Sequence, residues 1–419
     1  MSRRKTALVI GGGIAGLAAA QELARNNIFT TVLEAKARFG GRIHTIHDGG
    51  IPIELGAEFV HGQSKALLQA IRRAKLKTNP ASDENRLFEN GKFRKLNLWN
   101  IVGKVFNQVD IRRPDCSFER FLRREKIKEP GRRFARHFVM GFDAADPNRA
   151  GVHALRRAED SAEQMHMETQ ARITKGYSAL VEATIEQIKE QGGRLVLNTS
   201  ARCIRWKNGH VEIVAEQNKR RKNYSADVAV IALPLSILKS NEVKFEPALP
   251  EKNEAAKCLE WGNVVKIIFY FKEFFWGDFG FLLAFDETIP TWWGDTRGPI
   301  LTGWAGGPIA DKLLKYSKAE LETMGLKILR KVLFGNEPLA SLRKKLVATH
   351  YFNWANDPQI RGAYSYIPVN GLNLPNLLAA PVADTLFFAG EATVADVQTG
   401  TVFGALESGL RAAREILDS

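Results

Sequence analysis

Residues 6–34 read Thr-Ala-Leu-Val-Ile-Gly-Gly-Gly-Ile-Ala-Gly-Leu-Ala-Ala-Ala-Gln-Glu-Leu-Ala-Arg-Asn-Asn-Ile-Phe-Thr-Thr-Val-Leu-Glu. Thr6 to Ile10 is a short apolar run of the kind buried in a parallel sheet, and Ile14 to Arg25, rich in Ala and Leu, reads as the helix that follows. Between them stands Gly11-x-Gly13-x-x-Gly16. The first glycine permits a tight turn, the second lets backbone approach a pyrophosphate, and the third lets helix pack on strand. Ile14 and Ala15 open the helix, so an anion rests on its N-terminus. A second strand, Thr30 to Leu33, ends in Glu34, eighteen residues after Gly16, where a carboxylate can accept hydrogen bonds from ribose hydroxyls. Strand, turn, helix and acid together form a grip for the adenosine-diphosphate half of a dinucleotide.

A second Gly-rich signature, Phe388-Ala389-Gly390-Glu391, lies near the other end of the chain and reads as part of the same site. After Glu34 come Ala35-Lys36-Ala37-Arg38-Phe39-Gly40-Gly41-Arg42 and Gly56-Ala57-Glu58. Further along stand Lys175-Gly176-Tyr177, Ile231-Ala232-Leu233-Pro234, Val265-Lys266-Ile267, Trp354, Gly362-Ala363-Tyr364-Ser365-Tyr366 and Gly400-Thr401-Val402-Phe403-Gly404-Ala405. In this order, over essentially the whole chain, these runs resemble the flavin amine oxidases: monoamine oxidases, polyamine oxidases and lysine-specific histone demethylases. The resemblance implies an α/β, two-domain fold in which a Rossmann-like FAD-binding domain is interleaved with an α+β substrate-binding domain. It also implies FAD as cofactor. Lys36 stands where the family has Arg, keeping the cation and losing the bidentate fork.

Local patterns agree with an interleaved chain. Residues 1–80, 191–250 and 381–419 are assigned to the FAD-binding domain, and 81–190 and 251–380 to the substrate-binding domain. The first substrate segment carries basic, helical-looking stretches broken at Pro114, Pro130 and Pro147. Strand-like runs resume after Gly192-Gly193, with a hairpin turn expected at Asn208-Gly209. At 419 residues and 45% hydrophobic content the chain exceeds one core. Its three cysteines, Cys116, Cys203 and Cys258, are isolated and fit a reducing compartment, with no metal spacing. Ser2-Arg3-Arg4-Lys5 before an apolar run mimics an export signal, but the strand-turn-helix reading accounts for the same residues. With no long apolar run and no C-terminal anchor helix, a cytoplasmic protein without a membrane anchor is expected.

The net charge is +14, and residues 112–136 hold ten Lys/Arg against four acids. An amphipathic helix explains that stretch: Phe118, Phe121 and Leu122 share a face and leave Arg123, Arg124 and Lys126 to solvent. A binding surface for nucleic acid or anionic lipid is the weaker reading.

The resemblance also assigns site residues. Lys266, in an apolar strand-like run, matches the family lysine that contacts the flavin through a water. Tyr364 matches one wall of an aromatic cage, with Thr401 where monoamine oxidases carry a second Tyr, and Trp354 matches a Trp beside the flavin. His61 falls where animal polyamine-oxidising relatives carry a tunnel histidine. Lys36, Gly41, Arg42, Gly56, Ala57, Glu58, Ala201, Gly390, Glu391, Thr401 and Val402 join Gly11, Gly13, Ile14, Ala15, Gly16, Glu34 and Trp354 as expected cofactor contacts. Ala363 precedes the cage Tyr where monoamine oxidases carry the Cys that binds flavin covalently, so the FAD is expected to be non-covalent. The implied chemistry is oxidation of an amine to an imine, hydrolysis to aldehyde and amine, and return of electrons to O2 as peroxide, with a polyamine-type substrate favoured by the half-open cage. The alternative enzyme, an L-amino-acid oxidase, needs an arginine for the substrate carboxylate, for which Arg156 and Arg361 are candidates. Another flavoprotein oxidase or desaturase of the same fold, or a non-catalytic flavin-fold protein holding a partner on its basic surface, completes the alternatives.

Overall fold

The computed structural model describes residues 4–335, 337–394 and 399–419, so Ser2 and Arg3 of the basic N-terminus lie outside the described residues. The Gly-rich stretch folds as strand Thr6–Ile10, helix Ile14–Arg25 and strand Phe29–Leu33. These strands enter a five-stranded sheet whose order is Arg194–Val196, Phe29–Leu33, Thr6–Ile10, Val228–Ile231 and Leu386–Phe388. All its pairings are parallel, so strands distant in sequence lie side by side with their C-terminal ends at one edge.

Alternation along each strand decides what covers each face. Ala7, Val9, Val32, Val228 and Val230 pack against Leu17, Leu23 and Ala412 of the helices Ile14–Arg25 and Val402–Asp418. Leu8, Ile10, Leu33, Ala229 and Ile231 face the other way, onto Ile204 and Ile213. Those two belong to a second sheet of four strands, Thr199–Lys207, His210–Gln217, Arg220–Ala226 and Lys244–Glu246. Asn208-Gly209 makes the expected hairpin turn, with Gly209 at a φ of +70° that an L side chain rarely adopts. The helix Ser178–Glu190 joins the helical layer of the parallel sheet through Leu180, Val181 and Ile188.

A seven-stranded sheet forms the other large layer, with Val264–Phe271 next to its edge strand Leu346–Tyr351 and paired on its other side with Ile300–Gly306. Its far edge is the hairpin of Arg86–Glu89 and Lys92–Lys95, at the start of a segment whose pattern predicts helices. Runs of four residues are too short to show either period, and the parallel pairing of Arg86 and Leu87 with Leu282–Leu283 decides in favour of strand. Val265, Ile267, Phe269 and Phe271 bury into a core with Leu321 and Leu326 of the helix Lys318–Leu329. The opposite face of the same strand therefore turns Lys266 toward the parallel sheet. The basic stretch is the expected short helix, Phe118–Arg124, with Phe118, Phe121 and Leu122 buried and Arg123 and Arg124 outside. Among the described residues no helix is long and apolar enough to cross a membrane.

Candidate active site

A single cavity of about 420 Å3 runs from the C-terminal edge of the parallel sheet to the seven-stranded sheet. Of the expected cofactor contacts, all but Gly16 line it, together with Lys266, Tyr364 and His61. Gly16 lies just behind the wall, where a Cβ would stand 2.0 Å from the Gly11 carbonyl oxygen, so the helix can approach the turn only without a side chain. Gly13 has the opposite setting: a Cβ there would meet nothing within 4 Å, because the position faces the cavity. Gly13 also caps the helix Ile14–Arg25 with no side-chain bond, leaving the helix's first N–H groups directed at the cavity. This is the donor set and the open cradle that a pyrophosphate fits.

Glu34 supports that grip from below. Its buried carboxylate accepts from the backbone N–H of Gly12 at 2.7 Å and of Lys36 at 2.8 Å, one bond to each oxygen. Burial pushes its pKa up, while those two amides pull against the shift. Each oxygen keeps a lone pair for a ribose hydroxyl. Ala201 brings the strand Thr199–Lys207 to the same end of the cavity. Lys36 lines the cavity too, its ammonium paired with Asp357 and lying over the rings of Phe352 and Trp354.

The two Gly-rich ends of the chain meet through an ion pair. Arg42 Nη1 donates to Glu391 Oε1 at 2.8 Å and to the Ala363 carbonyl at 2.6 Å. Glu391 Oε2 accepts from Ser365 Oγ at 2.6 Å and from Gly400 N at 3.1 Å. One buried carboxylate therefore ties the Gly-Gly-Arg run, the Tyr364 strand and the turn before helix Val402–Asp418. Thr401 caps that helix by accepting from Gly404 N at 3.0 Å, and Val402 follows at its first position.

Tyr364 donates its hydroxyl to the Phe142 carbonyl at 2.6 Å, which fixes the ring. Gly400 presses against that ring; a Cβ there would lie 2.8 Å from Tyr364 Cδ2. Trp354 is buried and donates its Nε1 to the Leu55 carbonyl at 2.8 Å, steadying the turn whose next carbonyl, that of Gly56, receives Lys266 Nζ at 3.1 Å. His61 lines the cavity edge-on to Phe142, with Nδ1 unpartnered, and burial lowers its pKa to about 4, so it is neutral at pH 7.

Lys266 does not stand alone. Its ammonium sits 2.7 Å from Glu58 Oε2, while Glu58 Oε1 accepts from Arg172 Nε at 2.6 Å and from Trp293 Nε1 at 2.9 Å. Arg172 also lies 3.8 Å from Asp295, Asp295 pairs with Arg297 at 2.6 Å, and Arg297 reaches Glu54 at 3.3 Å. Glu54 in turn accepts from Tyr177 N at 2.9 Å and from Thr45 Oγ1 at 2.7 Å. Burial would raise the Glu58 pKa, but Lys266 and Arg172 outweigh it and hold the carboxyl at about 2. Three cations and three anions thus balance beneath the cavity. The sequence offered one signal for this network, Glu54 and Arg172 inside apolar strand-like runs, which buried ionic partners explain.

One further acid at the cavity, Asp143, was missed by sequence reasoning. Asp143 and Glu159 line the cavity, beside Phe142 and Trp99. Arg156 and Arg361, the candidates for a carboxylate-binding arginine, do not line it; Arg156 pairs with Asp160 and Arg361 with Glu242.

Comparison with known proteins agrees with this geometry. The family of flavin containing amine oxidoreductases matches over residues 14–417. Polyamine oxidase 3 of Oryza sativa subsp. japonica is 31% identical over 99% of this chain and 89% of its own length. Polyamine oxidase 2 of Arabidopsis thaliana is 30% identical over 99% and 88%. Among solved structures, wild-type putrescine oxidase bound to putrescine superposes with a TM-score of 0.85 at 19% identity, covering 100% of both chains, a likeness of fold.

Proposed function

The chain belongs to the flavin-containing amine oxidoreductase family, and from that premise we propose that it is an oxidase of polyamine-type amines with FAD bound non-covalently. It is an FAD-dependent enzyme that oxidises a C–N bond. The observation that carries the reading is the single cavity into which the Gly11–Gly16 turn, Glu34, Lys266 and the Tyr364 wall all open. Bound FAD supplies the two-electron acceptor for the hydride equivalent that leaves the carbon beside the amine nitrogen. The chain's own contribution is position and environment. Tyr364, its ring fixed by the Phe142 carbonyl, forms one apolar wall, and desolvation there favours the uncharged amine. Thr401 opposite leaves room for a substituent on nitrogen. Lys266, held by Glu58 and Gly56, presents a cation where electrons pass to oxygen. Gly11, Gly13, Ile14, Ala15, Glu34, Ala201, Arg42, Glu391 and Val402 would hold the dinucleotide. The three free cysteines suit a reducing, cytoplasmic setting.

The test is direct. The purified protein is expected to be yellow, to release its flavin into the supernatant on acid precipitation, and to produce peroxide with putrescine or spermidine. Colour retained in the acid pellet would overturn the non-covalent assignment. Activity confined to small aromatic monoamines would overturn the polyamine assignment.

A further inference from the structure

In the charge network beneath the cavity, Lys266 and Glu58 line the wall, whereas Arg172, Asp295, Arg297 and Glu54 stand behind it. The two front charges touch at 2.7 Å, with their side chains 4% and 5% exposed. The four behind are two cations and two anions in contact, so they cancel. At this wall the field sent into the cavity is therefore set by Lys266 and Glu58 together. Lys266 spends one N–H on Glu58 and another on the carbonyl of Gly56 at 3.1 Å, which places the pair against an expected cofactor contact. Glu58 is held still: Oε1 accepts from Arg172 Nε at 2.6 Å and from Trp293 Nε1 at 2.9 Å, and the Arg172 guanidinium lies 4.4 Å from the centre of the Phe59 ring.

A counterion behind Lys266 would satisfy its burial without facing the cavity, but Glu58 faces it. That placement matters for electron transfer. Reduction of a bound flavin adds two electrons and one proton and leaves the ring one unit more negative. A cation in the wall favours that form, and an anion opposes it. Burial would raise the Glu58 pKa, but Lys266, Arg172 and Arg297 hold it at about 2, so the carboxylate is ionised at neutral pH and its opposition is permanent.

We propose that Glu58 sets the electron affinity of the flavin site: facing the cavity beside Lys266, it offsets that residue's charge and holds the reduction potential of the bound flavin below the value Lys266 alone would give. This rests on the amine-oxidase reading and deepens it by naming the residue that tunes its redox step. Lys266 and Glu58 act as an opposed pair. Arg172 is a positioning residue, acting through the carboxylate it holds.

The experiment measures the reduction potential of the flavin-loaded protein, anaerobically and without amine, by equilibration with reference dyes and the absorbance of the flavin. Glu58→Gln keeps the side chain's shape and removes its charge. The ratio of reduced to oxidised flavin at a fixed applied potential should rise about tenfold, which is about 30 mV for a two-electron couple. Lys266→Met should shift the ratio by a similar factor in the opposite direction. Glu190→Gln, which removes an exposed acid at the end of the helix Ser178–Glu190, should leave the potential unchanged because solvent screens that charge. If Glu58→Gln retains no flavin, the double variant Glu58→Gln/Arg172→Gln, which keeps the network neutral, carries the test. Its potential should also lie above wild type, since the charge lost from the wall outweighs the one lost behind it. An unchanged potential in Glu58→Gln, or a shift in the direction of Lys266→Met, overturns the proposal alone, as does a double variant at or below the wild-type value. A wild-type protein that holds no flavin overturns the amine-oxidase reading and the proposal with it.

Discussion

Two groups of charge flank one cavity and are built on opposite plans. Beneath Lys266 the charges are balanced: Glu58, Arg172, Asp295, Arg297 and Glu54 complete one another, with nearly every oxygen bonded. Beside Tyr364 they are not; Asp143 Oδ2 has no hydrogen-bond donor among the described residues, and Glu159, an acid, adds to the burial that raises the Asp143 pKa. A balanced buried network is a fixed frame, because moving any member strands another. An acid left without a donor is instead costly to ionise where it stands. The contrast separates charges that hold the frame from a charge that the frame leaves unsatisfied.

The comparison can be broken most severely at its rigid end. Arg172→Leu removes a central cation and leaves Glu58 with Lys266 alone, so unfolding free energy should drop by about 3–5 kcal/mol, as for other broken buried pairs. Urea unfolding measures it, and a loss below about 1 kcal/mol would mean the network is not a frame. The same network makes an acid-side prediction. Because the Glu58 pKa is depressed to about 2, its contribution is complete above the ordinary carboxylate range and is lost as pH falls through that range toward the folded value.

Lys266→Met tests the link between frame and chemistry. Reoxidation of the flavin by oxygen should slow by about 100-fold while anaerobic reduction by amine changes by less than about threefold, because the cation acts on charge developing on oxygen and the amine is held by other walls. Equal losses in both half-reactions would instead give Lys266 a purely structural role.

The smallest effect has the opposite sign. Asp143→Asn should stabilise the amine-free protein by about 1–2 kcal/mol at pH 8.5, since it replaces a destabilised acid by a neutral isostere. The folded pKa, near 8, lies above the ordinary value, so the acid costs stability progressively as pH rises between the two. At pH 5 Asp143 is already protonated when folded, and most of the gain should vanish. Thermal unfolding at both pH values checks this; a destabilised variant at pH 8.5 would mean that Asp143 has a partner in the folded state.

Much of the frame was legible before any coordinates. The Gly11–Gly16 turn needs glycine for close approach at residues near in sequence, and such local constraints leave visible spacing. The strand around Lys266 announced itself by its apolar run, but why a lysine should be there was legible only through family resemblance. Arg172 and Glu58 are 114 residues apart, and Arg297 and Glu54 are 243 apart, so no local period connects them. Asp143 stood just past the end of a helix, where an acid ordinarily faces water.

By itself, then, the sequence determined what depends on backbone shape and hydrophobic period: the dinucleotide turn, the strand-helix layers, the apolar face of Phe118–Arg124 and the absence of a covalent flavin cysteine at Ala363. Only the tertiary structure decided which charges are neutralised. It paired Lys36 with Asp357, joined Arg42 to Glu391 across the two ends of the chain, gave Lys266 its counterion, and left Asp143 Oδ2 without a donor among the described residues. The reason is the range of the forces. Conformational preference acts within a few residues, whereas the energy of a buried charge depends on every group that the fold brings within several ångströms of it.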